Sequence, residues 1–485
     1  MPTPSFRVEA IDLHERPVTL RLPFRFGGAT LTACPQAFVR ARIAFADGRT
    51  ATGAAAELMV PKWFDKSPGK TAADNAGDLR AALVAAAEAY IEGRVARPAF
   101  GHFAAHYRPL LDAGAGAGRN ALTSGYGPAL VDRAVLDALC RDAGVSFHAA
   151  LARNLPGIDA SVTPDLAGVD LAAFLATLAP RATIAARHTV GLVDPITAAD
   201  VATRVNDGLP ETLDEVVAAY GNRHFKLKVG GDVDADLARL TAIARVLDRL
   251  AHPYHVTLDG NEQYRDPAAI VALWRALAAD PVLARFAASV LWIEQPLPRE
   301  LALRQPIGAL AGLRPVLIDE SDENLDAFPR AREQGYAGVS CKSCKGVYKS
   351  LLNAARAALW NRETGNSRFF VSGEDLTAQA GLAVQQDLAL ASALGLAHVE
   401  RNGHHYVNGF AGQGAPASEG EAFLAAHPAL YERSHGGIRL RLRDGVLDLR
   451  SLAAPGFASG AEPDWSALPT LEVDGRDRNP APPPA

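Results

Sequence analysis

Only eight of the chain's 49 basic residues are lysine: Lys62, Lys66, Lys70, Lys226, Lys228, Lys342, Lys345 and Lys349. Five of the eight fall into two short segments, 226–228 and 342–349. Arginine stays charged almost everywhere, whereas burial or a neighbouring cation can take the proton from a lysine near neutral pH. Codon bias with chance clustering is the bland account of this census; the chemical account is that amines stand where a proton is to be moved. Between the two clusters lie three carboxylates, Asp259, Glu294 and Asp319, each ending a short apolar run (HVTLD, SVLWIE, RPVLID). Carboxylates brought together at one end of neighbouring strands repel unless a cation sits among them. An all-oxygen set with open positions suits Mg²⁺. A lysine on each side then offers one base per face of a bound substrate. Together these parts suit removal of a proton next to a carboxylate, with the metal stabilising the enediolate that forms.

Such a constellation needs a scaffold that aligns strand ends. After residue 180 short β-rich runs recur, each followed by an amphipathic helix: ATIAARHTVGLV, HFKLKV, HVTLDG, SVLWIEQP, RPVLIDES, GVSCKS, RFFVSG and AHVERN. Eight βα-like units predict a closed parallel barrel, whose active site lies where the strands end. Lys226 and Lys228 are two apart on the second strand, so they share one side while Phe225, Leu227 and Val229 face the helices. Both ammonium groups are expected in the barrel mouth. Upstream, residues 5–60 read as an antiparallel sheet and 72–180 as Ala/Leu-rich helices. The expected division is an α+β capping domain over 1–180, the barrel over 181–410, a C-terminal segment over 411–475 packing on the cap, and a disordered Pro-rich tail over 476–485.

Composition narrows the function. The 485 residues carry a net charge of −5 with 48% hydrophobic residues, which excludes a disordered chain and a strongly basic nucleic-acid binder. No run of about 18 apolar residues marks a membrane span, and the start MPTPSFRVEAIDLHERP lacks a basic region followed by an apolar core. A soluble, cytoplasmic protein with neither nucleic-acid nor membrane partners is expected. Four cysteines cannot build a disulfide framework.

The ordered set KLK (226–228), LDGN (258–261), WIEQP (292–296), IDES (318–321) and CKSCKG (341–346) resembles the enolase superfamily, in particular its muconate lactonizing enzyme-like subgroup. Each motif alone is weak; five in order are specific, and the resemblance covers residues 180–405. It implies an enolase-type modified (β/α)₈ barrel with an N-terminal α+β cap completed by the C-terminal segment. It also implies that Asp259, Glu294 and Asp319 bind Mg²⁺, that Lys228 is the base on one face, that Lys226 is its electrostatic neighbour and that Lys342 is the acid or base on the other face. The expected partner is a small-molecule carboxylate substrate, in a homo-oligomer. Where the family has a Gly pair after the sixth-strand lysines, only Gly346 follows Lys345, which leaves Lys345 as the alternative to Lys342. Lys342, 23 residues after Asp319, keeps the strand alternation from Val339 outward.

The implied outcome is epimerisation, cycloisomerisation or elimination. Dehydration of a sugar acid is the runner-up, disfavoured because no His follows the seventh strand, and a catalytically silent barrel that binds a carboxylate or a protein is the reading from another class. Substrate choice is expected from PFRFGG (23–28) and MVPKWFDK (59–66), with Phe26, Lys62 and Trp63 as candidates. Several residues have ordinary readings too. Cys341 and Cys344 make a CxxC without a second pair and read as buried small residues. His404 and His405 touch substrate or form a solvated pair. Glu374 and Asp375 line the pocket or begin a helix at DLTAQAG as N-terminal acids. Glu320 stands behind the metal ligands, and Gly230–Gly231 is the turn leaving the second strand.

Overall fold

Alternation of apolar and polar residues builds the N-terminal sheet. In the computed structural model, which describes residues 3–376, 380–402, 405–473 and 476–477, three antiparallel strands follow in sequence: β1 (Phe6–Phe26), β2 (Ala29–Phe45) and β3 (Thr50–Leu58). Phe6, Val8, Ile11, Leu13 and Val18 of β1 are buried in one core, and α1 (Ala72–Glu92), α2 (Ala99–Gly116) and α3 (Ala121–Asp142) cover the sheet. The helix α3 lies almost on the backbone of β3. A Cβ on Gly53 would stand 2.1 Å from the Ala138 nitrogen, so only glycine permits that approach. Thr71 and Asp74 close a capping box at the start of α1, which ends the polar 59–71 loop that precedes it.

The eight βα units form the expected barrel. Its strands are β4 (Thr183–Val190), β5 (His224–Lys228), β6 (His255–Asp259), β7 (Val290–Glu294), β8 (Val316–Ile318), β9 (Gly338–Cys341), β10 (Phe370–Gly373) and β11 (His398–Glu400), all parallel, with β11 paired back to β4. Outward residues Phe225, Leu227, Val256, Leu258, Ile293, Val316, Ile318 and Val339 join one core with the surrounding helices. Inward positions are therefore left for the site. Register sets Lys228, Asp259 and Glu294 abreast on β5, β6 and β7.

The C-terminal segment adds a hairpin, β12 (Tyr431–Ser434) with β13 (Gly437–Leu440), and a strand, β14 (Val446–Asp448), antiparallel to β4. It completes the cap as well: Thr470 bridges to His14, Leu471 N–H donates to the Leu13 carbonyl, and buried Arg16 pairs with Glu419 at 2.7 Å. The helix expected from DLTAQAG starts later than the sequence suggests. It runs from Leu382 to Ala393, so Glu374 and Asp375 are not its N-terminal acids. Arg476–Asp477 pairs with Glu472–Val473, and residues 478–485 of the expected tail lie outside the described residues, as does His404. Among the described residues no single helix is long and apolar enough to cross a membrane.

Candidate active site

The inner wall of the barrel is layered because strand side chains alternate and neighbouring strands are in register. Near the N-terminal ends of the strands, His224, His255, His398 and Trp292 stack on one another, with ring centroids 4.6–5.4 Å apart. Arg187 of β4 stands over Trp292 and reaches up to Glu374, with which it makes a fully buried ion pair. At the C-terminal ends lie Asp259, Glu294 and Asp319, all 0% exposed.

The sequence-predicted groups do come together, but not in one layer. Two residues along a strand is a step of about 6.6 Å, so Lys226 lies below Lys228 instead of beside it in the mouth. Its Nζ lies 2.7 Å from Glu374, 2.8 Å from Glu294 and 3.0 Å from both Asp259 and Glu400. Burial works against its charge, yet those four carboxylates hold the ammonium well above the ordinary lysine pKa. Lys226 is a fixed cation. Lys228 Nζ donates to Asp259 Oδ2 at 2.5 Å. Lys342, just past the end of β9, donates to Asp319 Oδ2 at 2.6 Å with its ammonium over the Trp63 ring. Burial lowers and Asp319 raises the Lys342 pKa, with a net rise. For Lys226 and Lys342 these carboxylates thus oppose the lowering of lysine pKa that the sequence reading expects.

Lys342 and Lys345, the two sixth-strand candidates, point in different directions. Lys342 lines the space under the cap, together with Lys228, Phe24, Phe26, Val60, Trp63, Asn261, Asp375, Leu376 and Glu400. Lys345, on a short turn past the strand, sits behind Asp319, donating to Ser340 Oγ at 2.6 Å and pairing with Asp322 at 3.1 Å. Ser343 between them is gripped from the cap: Arg133 of α3 donates to its hydroxyl and to Glu57 of β3. The loop that carries Lys342 is thus tied to the cap sheet.

Three functional-looking groups were not among the candidates. Arg187 and Thr189 face inward from β4, and Glu400 ends β11, accepting from Thr189 and from Lys226. Glu400 follows the same strand-end logic as Asp259 and was available to it. Glu320 accepts from Lys66 and from Asn261 Nδ2, behind the carboxylates as expected. Of the cap candidates, Phe26 and Trp63 line the space while Lys62 bends back to the Ser67 carbonyl. His405 is 3% exposed and near Asp194, which removes the solvated reading for it. Cys341 and Cys344 are free and buried, with the Cys341 thiol pushed up to about 12 by burial. Gly230 and Gly231 turn the chain out of β5 and donate to Asp236.

The donor set suits a divalent cation, though among the described residues no group of His, Cys, Asp and Glu is drawn into a coordination shell. Lysines hold the carboxylates instead. Glu294 Oε2 is buried with no hydrogen-bond partner, and burial together with Asp259 and Glu374 pushes the Glu294 carboxyl well above its ordinary value. Asp259 and Asp319 are held below theirs by lysines, against burial. A buried carboxylate oxygen without a partner, beside two ionised neighbours, is a place for a hard cation.

Residues 208–410 match the family model described as Enolase C-terminal domain-like. No curated protein matches the chain. Among solved structures, a muconate lactonizing enzyme from Mycobacterium smegmatis complexed with muconolactone is similar at 18% identity and a TM-score of 0.59, covering 95% of this chain and 98% of that one. An enolase from Bradyrhizobium complexed with magnesium and mandelic acid is similar at 17% identity and a TM-score of 0.58, covering 96% and 98%. A dipeptide epimerase from Enterococcus faecalis complexed with Mg and L-Leu-L-Tyr is similar at 15% identity and a TM-score of 0.55, covering 93% and 99%. Most of the barrel thus matches that family model, and the fold as a whole is shared with these structures.

Proposed function

We propose that this chain is a Mg²⁺-dependent enzyme that removes the α-proton of a small carboxylate substrate, with Lys228 and Lys342 as the proton-transfer groups on its two faces. The observation that carries the reading is their placement. β5 and β9 are the second and sixth of eight barrel strands, so they stand on opposite walls, and both lysines line the same space beneath the cap. The known structures support the substrate class, because the muconolactone, mandelic acid and L-Leu-L-Tyr found in them are all small carboxylic acids.

Asp259, Glu294 and Asp319 would hold the metal, which when bound supplies positive charge to the substrate carboxylate as the α-proton leaves. The chain's own residues do the rest. One lysine takes the proton from Cα, and the electron pair passes into the carboxylate as an enediolate. The other lysine returns a proton to the opposite face, which inverts the centre. Lys226 moves no proton in this scheme; it keeps Glu294, Glu374 and Glu400 together in a layer that excludes water. Two lysines on opposite walls favour epimerisation over elimination, which needs one.

Incubation with Mg²⁺ and a panel of dipeptides, amino acids and sugar acids in deuterated water, read by mass for α-deuterium, tests the proposal. Metal-dependent incorporation supports it. Incorporation that survives excess chelator, or none with any acid, sinks it.

A further inference from the structure

The space between cap and barrel has two unlike halves. Its floor is charged: Lys228 pairs with Asp259, Lys342 with Asp319, Glu400 with Lys226 and Asp375 with Arg401. Its roof is apolar: Phe24 and Phe26 at the tip of β1, Val60 and Trp63 from the 59–71 loop, and Leu376 after β10. The floor groups pair with one another, and the polar capacity left there is the spare N–H donors of Lys228 and Lys342 and the unpartnered Glu294 Oε2. On the roof side the described lining offers one unpartnered donor, the buried Trp63 Nε1–H, and one unpartnered acceptor, Asn261 Oδ1. The space between them is about 20 Å³, room for about one water, so a substrate can enter only where roof and floor part.

The roof is also held. Arg299 donates to the Trp63 carbonyl at 3.1 Å and the Phe64 carbonyl at 2.8 Å, and is itself gripped by both oxygens of Glu262. Lys66 Nζ reaches Glu320 and the Asn261 carbonyl, both at 2.9 Å. Three barrel loops thus clamp the segment that carries Trp63, whose ring faces the Lys342 ammonium at 4.3 Å.

Resting on the proposed reaction, we infer that the substrate is a carboxylate whose α-substituent is compact and apolar, aliphatic or aromatic, with at most one hydrogen-bonding group on the side that meets the roof. A polyhydroxylated acid is excluded by the roof. Each hydroxyl buried there without a partner weakens binding by roughly tenfold or more.

Calorimetric titration of the full chain with Mg²⁺ present, using 2-phenylpropionate and gluconate as probes, tests this. Binding of 2-phenylpropionate at least tenfold tighter than gluconate is expected. Equal binding, tighter gluconate, or no binding of 2-phenylpropionate overturns the inference. Phe26→Asn places a polar group in the roof and is expected to narrow the preference; an unchanged preference counts against the roof as its source. For Trp63→Phe, any advantage of 2-methoxy-2-phenylacetate over 2-phenylpropionate, conferred by its ether oxygen, should vanish. α-Deuterium exchange of the same acids separates the two readings. An apolar acid that binds without exchanging leaves the substrate class standing and removes proton abstraction, whereas exchange of gluconate with weak 2-phenylpropionate binding does the reverse.

Discussion

Floor and roof of the same site are built on different physics. The floor groups sit on, or directly after, barrel strands whose register places Lys228, Asp259 and Glu294 side by side, and each charge is held by an opposite charge from another strand. The roof comes from a hairpin tip and a loop, and a few long-range contacts from the barrel hold it. Proton chemistry needs groups fixed to a fraction of an ångström, which strands provide. Selectivity is set by loops, whose residues can change without disturbing that frame.

The largest effect that tests the contrast is on catalysis from the floor. Lys228→Ala should stop α-deuterium exchange of one enantiomer of the substrate, and Lys342→Ala that of the other, each by about 10² to 10⁴ in rate. Partial exchange is the informative measurement, because a full epimerisation needs both groups and fails in either variant. Exchange on both faces surviving in Lys342→Ala would place the second base elsewhere. Lys345→Ala is no neutral control, since it strips a buried cation from Asp319 and Asp322. It should unfold early while leaving any folded fraction able to exchange.

Next in size is the stability of the floor. Arg187→Met keeps the stem but leaves Glu374 without its guanidinium partner inside the barrel. Breaking a buried pair from one side costs about 3–5 kcal/mol. Urea unfolding should show a loss of that order, and a loss under 1 kcal/mol would mean that Lys226 alone satisfies Glu374.

Much of this was legible in the sequence. Eight β-rich runs gave the barrel because parallel strands buried between helices are apolar in a way no loop is, and strand ends pointed to Asp259, Glu294, Asp319 and Lys342. Depth was not legible. Residue spacing says that Lys226 and Lys228 share a side, while only the closed barrel shows that the lower one falls among Glu294, Glu374 and Glu400. Arg187 escaped because a lone charge in a short strand has the same local pattern whether it faces in or out, whereas Glu400, which ends its strand as Asp259 does, was open to the same reasoning. The clamp by Arg299 and Lys66 joins residues more than 190 positions apart, and nothing local encodes that distance.

A smaller effect should come from the roof. Lys66→Met removes the ammonium that links the 59–71 loop to Glu320 and Glu262, and a partly exposed pair of this kind contributes about 1–2 kcal/mol. The expected readout is faster proteolysis within 59–71 and a raised KM with kcat nearly unchanged. A fall in kcat as large as that of Lys228→Ala would show that roof and floor are not separable.

The smallest effect expected is the pH response of the cap, a region distant from the floor's charges. Burial, with neighbouring His106 and Arg97 adding to it and its bond to Phe6 opposing, pushes His102 of α2 down to about 4. The neutral ring donates through Nε2 to the Phe6 carbonyl at 2.9 Å. In the unfolded chain the same group titrates near 6.5. Below that value the unfolded state binds a proton that the folded state refuses, so His102 contributes stability above pH 6.5 that is lost as pH falls toward 4, at no more than about 1.4 kcal/mol per pH unit. Below pH 4 its contribution is flat. His102→Gln keeps a donor for Phe6 and cannot titrate, so the stability gap between native chain and variant should change by about that slope between pH 6.5 and 5, measured by urea unfolding. Parallel stability curves for the two proteins would show that the His102 ring takes up its proton in the folded cap as readily as in water, and that the cap is looser than its buried position implies.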